Sequence, residues 1–361
     1  MQSRHCLLSL SLAFAIAISA CADKEGSTSL GGPAPDAASN AGDYPADDQE
    51  TSPSFGEFLE DAYAEDMQRY PLTATYRGIK TNNDKWNPVS EAFQQESREI
   101  NQSRLRQLRQ FDRASLSDSE QLSYDLYKLN LERQLASDDF RHHHFIIHQF
   151  RGPHTAVPST LINIHSVASR EDAEDYIGRL RNVAKYFDQV IAQMAIRTEK
   201  GLLLADWQYP QMLEAAQNVI TGAPYDDSGT DSALWRDFQA KVAALNVDDP
   251  VRQALLNEAE SVLVEVVKPA YQRLIAAIAQ QAQEATDADG VWKFPEGDAF
   301  YAQQLRWYTT TDLTADEIHS IGLTEVARIH DEMRAIMRKV DFEGDLPEFF
   351  EFMREDEQFY Y

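Results

Sequence analysis

The chain has 361 residues, 43% of them hydrophobic and 10% aromatic, which is enough apolar material to bury a core. Its formal charge of −26 excludes nucleic acid as a partner, because phosphate neutralisation needs clustered Lys and Arg, and it opposes docking on anionic headgroups. Cysteine occurs only at positions 6 and 21, so everything after Cys21 is without disulfide, thiolate nucleophile or thiolate metal ligand.

The first element in chain order is an export signal. Arg4 and the amino terminus form a positive start, and Leu7 to Ile18 is an unbroken apolar and small run. That run is shorter than the roughly 20 residues a membrane-spanning helix needs. It closes on Ile18-Ser19-Ala20-Cys21, which resembles the lipobox of bacterial lipoproteins. The resemblance implies a signal peptide over residues 1–21, lipid on Cys21 and a membrane anchor. Ala22 after the cysteine implies the outer membrane, facing the periplasm. Ala20-Cys21-Ala22 also fits the A-x-A pattern of ordinary secretory cleavage, which would free the protein. Residues 22–53 are rich in Gly, Ser, Ala, Pro and Asp and read as a disordered tether.

Residues 54–361 read as one helical domain, so the expected class is all-α with few short strands. Phe55, Phe58, Leu59, Ala62 and Tyr63 recur at helical spacing up to Pro71, and a further helix covers Ser90 to Asp112. Ser117 and Glu120 form a capping box before Leu122, Leu126 and Leu129. Ser169 caps a helix with the stripe Tyr176, Leu180, Val183, Phe187, Val190 and Met194, which Gly201 stops. Asp249-Pro250 opens a long helix with the stripe Leu255, Ala259, Val262, Val266, Leu274 and Ile278, kinked at Pro269. Thr314 and Glu317 form a second capping box, before Ile318, Ile321, Ile329, Met333 and Ile336. These stripes read as core. The best strand-like stretch is Phe145-Ile146-Ile147.

Metal ligation has one local candidate. His144 and His148 are spaced i, i+4 within a cluster that includes His142 and His143, with Asp138 and Asp139 nearby. On a helix that pair can grip zinc; in a strand the two rings stand about 13 Å apart, too far to share an ion. Thr309 to Thr311 is either the border of a substrate groove or a β-branched linker. No G-x-S-x-G, phosphate-binding glycine loop or dinucleotide fingerprint occurs, so serine-hydrolase and nucleotide readings fall away.

Thr309-Thr310-Thr311-Asp312-Leu313-Thr314-Ala315-Asp316-Glu317-Ile318-His319 and Gly322-Leu323-Thr324-Glu325-Val326-Ala327-Arg328-Ile329 resemble a bacterial family of unknown function, family 885, many of whose members are envelope lipoproteins. Tyr70 to Thr75 with Gly78, Gly152-Pro153-His154, and Val267 to Tyr271 resemble it as well. The resemblance implies similarity to helical zinc metallopeptidases and makes His154 a candidate for the substrate cleft, beside a packing role. Zinc chemistry in complete members rests on a helical H-E-x-x-x-G-H-H pattern: imidazoles one turn apart hold the metal and a carboxylate activates its water. No His in this chain is followed by Glu, so no catalytic residue carries over. The expectation is the N-terminal portion of such a fold, without its catalytic half, binding no cofactor and inactive alone. The alternative is a non-catalytic helical lipoprotein that binds peptides or scaffolds at the envelope.

Overall fold

The computed structural model describes residues 53–360. The signal peptide, Cys21 and the tether up to Ser52 lie outside the described residues.

Helix α1 (Phe55–Arg69) begins at Ser54, whose hydroxyl accepts from the Glu57 amide at 3.3 Å while the Glu57 carboxylate accepts from the Ser54 amide at 2.8 Å. Pro71 ends that run and also opens a short second helix, α2 (Pro71–Tyr76), at a first-turn position where its missing N–H costs nothing. Ser90 caps α3 (Glu91–Leu108), and Ser117 with Glu120 caps α4 (Asp118–Asp138). Phe55, Phe58, Leu105, Leu108, Tyr124 and Leu131 close a core between α1, α3 and α4. The stripe Leu122, Leu126 and Leu129, expected inside, instead faces outward, at 60%, 58% and 46% exposure. The buried residues of α4 are Tyr124 and Leu131.

The main core is built around α6 (Arg170–Glu199), whose buried face carries Tyr176, Leu180, Val183, Phe187, Val190 and Met194, as its periodicity predicts. It is wrapped by α5 (Pro153–Asn163), α7 (Tyr209–Val219), α8 (Ala233–Ala243), α9 (Asp249–Val262) and α10 (Lys268–Glu284). Each fully buried Leu, Val or Phe contributes about 1.5–3 kcal/mol. Gly178 lets the 79–89 loop lie against α6: a Cβ there would stand 2.8 Å from the Asp84 Cβ, and Trp86 Nε1 donates to the Arg179 carbonyl at 2.9 Å.

The expected kink at Pro269 takes a particular form. Leu263–Val267 is a π-helical turn in which the Lys268 amide donates to the Leu263 carbonyl, five residues back. The turn takes up one extra residue, so the buried stripe slips by one: Val267 is in the core, and Val266, expected there, is only partly buried. Leu255, Ala259 and Val262 before the turn and Tyr271, Leu274 and Ile278 after it then face the same interior.

Three further helices follow: α11 (Gly297–Thr309), α12 (Ala315–Lys339) and α13 (Leu346–Glu355). The Thr314–Glu317 box caps α12 as expected. Its apolar face is not core. Ile321, Ile329 and Ile336 are 51%, 38% and 49% exposed, and Met337 is the one buried residue of the helix, packed with Leu346 and Phe349 of α13.

The fold is all-α. Among the described residues there is no strand, only the isolated bridges His148–Arg151, Ala205–Thr286 and Ala223–Asp231. Phe145-Ile146-Ile147, the strand-like stretch, lies among bends because Ile147 turns into the core and the chain reverses at Gln149–Phe150. No described helix is long and apolar enough to cross a membrane.

Candidate functional site

A groove of about 440 Å3 opens where α3, α4 and the turn segment after α4 meet α11. Tyr70, Phe93 and Trp307 give it aromatic walls; Asp138, Arg141 and His144 give it charge and polarity. The rings are fixed by their neighbours. Tyr70 meets Phe93 edge-on at 5.6 Å, and the Arg69 guanidinium lies 4.7 Å over the Phe93 ring. Asp138 sits between two arginines, paired with Arg98 from α3 and 3.6 Å from Arg141. Arg141 also reaches Glu91, outside the groove lining, at 2.5 Å, so the groove's charges belong to an alternating chain held on three segments.

A second depression of about 340 Å3 adjoins the first and shares Trp307 with it. Arg133 lies 4.4 Å over the Trp307 ring and donates to the Trp307 carbonyl, which locks that wall in place. Leu129, Thr310 and Thr311 complete this stretch. Thr310 is at the end of α11 in the left-handed region (φ 57°), a conformation that strains a β-branched residue. The threonine run therefore borders a groove.

The histidine cluster fans out from a string of turns over residues 139–144. Buried Arg197 of α6 sets that path by donating to the carbonyls of Arg141 at 3.2 Å and His144 at 3.0 Å. His142 Nε2 stands 3.1 Å from a Glu91 carboxylate oxygen. Partial burial favours the neutral acid at Glu91, but hydrogen bonds from Arg141, Gln193 and His142 outweigh it and hold the group down at about 2. His143 is buried, stacked on Phe300 at 5.0 Å, with Nε2 2.8 Å from the Pro295 carbonyl. His144 points to the groove and approaches the Ser137 hydroxyl at 3.4 Å. His148 lies past the cluster, bridged to Arg151 across a tight turn.

Among the described residues no three His, Cys, Asp or Glu side chains stand close enough together to hold a metal ion. His144 and His148 are on neither a helix nor a strand, and their rings face Ser137 and Arg151. The zinc implied for complete members of the resembled family therefore does not fit the donor sets of the described residues. Glu325, on α12, pairs with Arg328 at 2.8 Å.

His154 occupies the first turn of α5 and is fully buried, with no hydrogen-bond partner on either ring nitrogen. Tyr271 donates to its carbonyl at 2.9 Å. It does not line the groove. Burial pushes its imidazole down to about 4.

Sequence reasoning missed a buried polar network. Arg179 is wholly enclosed in α6 and donates to the Lys85 carbonyl at 3.2 Å, His165 Nδ1 at 3.0 Å and the Thr75 hydroxyl at 2.5 Å. His165 then carries its proton on Nε2, toward the Asp172 carbonyl at 3.1 Å. Burial pushes His165 to about 4 and Arg179 to about 10. Lys80 joins the network through Asp172 at 2.6 Å. The network ties the Tyr70–Thr75 motif to the main core. One signal was present: Arg179 sits in phase with Tyr176 and Val183 on an otherwise apolar face.

The fold and groove define an all-α domain with an open, mixed-polarity groove and an internal polar tie. Over residues 71–361 the chain matches the family described as Bacterial protein of unknown function (DUF885), and it belongs to that family. The fold is similar to the crystal structure of a candidate lipoprotein from Colwellia psychrerythraea: TM-score 0.71, 19% identity, covering 84% of this chain and 54% of that one. A candidate lipoprotein of unknown function from Shewanella oneidensis is also similar: TM-score 0.58, 17% identity, 80% and 48% covered. The chain thus spans about half the length of these solved structures. No curated protein matches the sequence.

Proposed function

We propose that this chain is part of an envelope lipoprotein of the helical metallopeptidase-like class, and that it contributes the surface that holds a peptide rather than the catalytic metal. In this reading it is anchored through lipid on Cys21, at the outer membrane and facing the periplasm. It binds no zinc tightly and hydrolyses nothing by itself. Membership of the family and the similarity to candidate lipoproteins support the envelope setting.

The observation that carries the peptide reading is the groove along α4, with apolar walls at Phe93 and Trp307 and fixed charges of both signs at Arg98, Asp138 and Arg141. An extended polypeptide presents that same mixture: apolar side chains, amides and ionic groups. The chain's acidity opposes polyanionic ligands, and the groove lacks the glycine loop that phosphate cradling needs.

Titration with a set of unstructured peptides, by calorimetry, tests the reading. Binding is expected, with Trp307→Ala weakening it at least tenfold. Absence of binding at millimolar peptide, or equal affinity of the variant, refutes the groove. Stoichiometric zinc together with peptide hydrolysis by the purified chain refutes the non-catalytic assignment. Cys21→Ser is expected to move the protein from the membrane fraction to the soluble periplasm; retention at the membrane rules out the lipid anchor.

A further inference from the structure

We infer that α12 is a docking helix whose exposed seam receives a helix from the portion of the fold that the matched structures carry beyond the part shared with this chain. The inference goes beyond the groove reading and does not depend on it. Ile318, Gly322, Val326, Ile329, Ile336 and Val340 fall at steps of three, four or seven along α12 and its end. At 100° per residue they share one narrow stripe, about 33 Å long. Yet Val326, Ile329, Ile336 and Val340 are 51%, 38%, 49% and 57% exposed.

Scattered apolar residues on a surface need no explanation, but a continuous seam at coiled-coil spacing does. The helix is not a marginal one that merely projects: Thr314 and Glu317 cap its start, and Arg338 and Lys339 complement its end. Its lower end is already seated, through Met337, on Leu346 and Phe349. A helix so well specified, with the rest of its apolar face bare, is built to be covered.

Two features choose the occupant. The matched structures are about twice as long as the part aligned here, so their fold supplies further chain to pack against this one. A second copy is disfavoured by charge, since each chain carries −26. The bare leucines of α4, Leu122, Leu126 and Leu129, form a second face of the same kind.

The test compares the chain as far as Tyr361 with the same chain continued in line by the codons that follow, in whichever reading frame encodes amphipathic helices. Hydrogen exchange of the amides in residues 318–340 is the readout, and it is independent of peptide or zinc binding. The continued chain is expected to slow exchange there at least tenfold. Ile329→Glu, at a position exposed in the chain up to Tyr361, is expected to abolish that slowing while leaving that chain's helical circular dichroism unchanged. Three outcomes overturn the inference: no helical polypeptide encoded downstream, slowing that survives Ile329→Glu, or protection that disappears on dilution and so marks a second copy.

Discussion

Acidification should destabilise this protein through two buried imidazoles. His154 and His165 are 0% and 1% exposed, and burial brings both from 6.5 to about 4. In the unfolded chain each ring regains its ordinary affinity for protons, so between pH 6.5 and 4 the unfolded state binds more protons and stability falls as pH falls. Below about pH 4 both states are protonated and this loss stops growing. At about 1.4 kcal/mol per pH unit and per ring, lowering the pH from 7 to 5 removes about 2 kcal/mol for each, or about 4 kcal/mol together. The assay is urea unfolding at pH 7 and pH 5, followed by tryptophan fluorescence. His154→Leu gives the control: it sacrifices no hydrogen bond of the ring, which has none, and should roughly halve the pH dependence. Equal midpoints at the two pH values, or an unchanged slope in His154→Leu, would refute the linkage. Glu91 acts in a lower window. Its depressed pKa contributes stability above about pH 4.5 that is lost as pH falls toward 2, and exposure of its side chain makes that contribution small.

Gly178→Ala should lower stability by about 1–2 kcal/mol, because crowding against Asp84 outweighs the gain in helix propensity; a raised melting temperature would contradict the close approach. Thr310→Gly should raise stability by about 1 kcal/mol by releasing the left-handed backbone, read as a melting rise of about 2 °C. Phe187→Ala empties the space beside Tyr271, whose ring centre is 4.9 Å away, and should cost about 3–5 kcal/mol in urea unfolding; a loss under 1 kcal/mol would mean that the site collapses or was never tightly packed.

What was legible in the sequence was local. Ser117 and Thr314 marked helix starts because a capping box is an agreement between residues three apart, and Ser169 did so as a single cap. The α6 stripe was legible for the same reason: 3.6-residue periodicity names a face. Periodicity does not say what covers that face. Leu122, Leu126 and Leu129 and the α12 isoleucines have core-like spacing and lie open, because coverage depends on partners distant in the chain. The groove was illegible because its walls come from positions as far apart as Tyr70 and Trp307, and only tertiary packing joins them. The histidine run misled in a different way. Spacing allowed a helical pair, but hydrogen bonds from Arg197, more than fifty residues on, fold that stretch into turns.

The π-helical turn at Leu263–Val267 makes this short stretch tolerant of a loss of length that the regular turns around it would not survive. Deleting solvent-facing Val264 would restore ordinary i to i+4 bonding around the turn. Because the turn holds one residue more than an α-turn, that deletion leaves Tyr271, Leu274 and Ile278 facing the interior, whereas a deletion in the regular turns on either side would swing everything downstream by about 100°. A loop absorbs a lost residue by slackening; a rod transmits the loss along its whole axis. The locally irregular turn is thus what keeps two halves of one long helix in phase with a single core, by taking up the one residue that a regular helix has no place for.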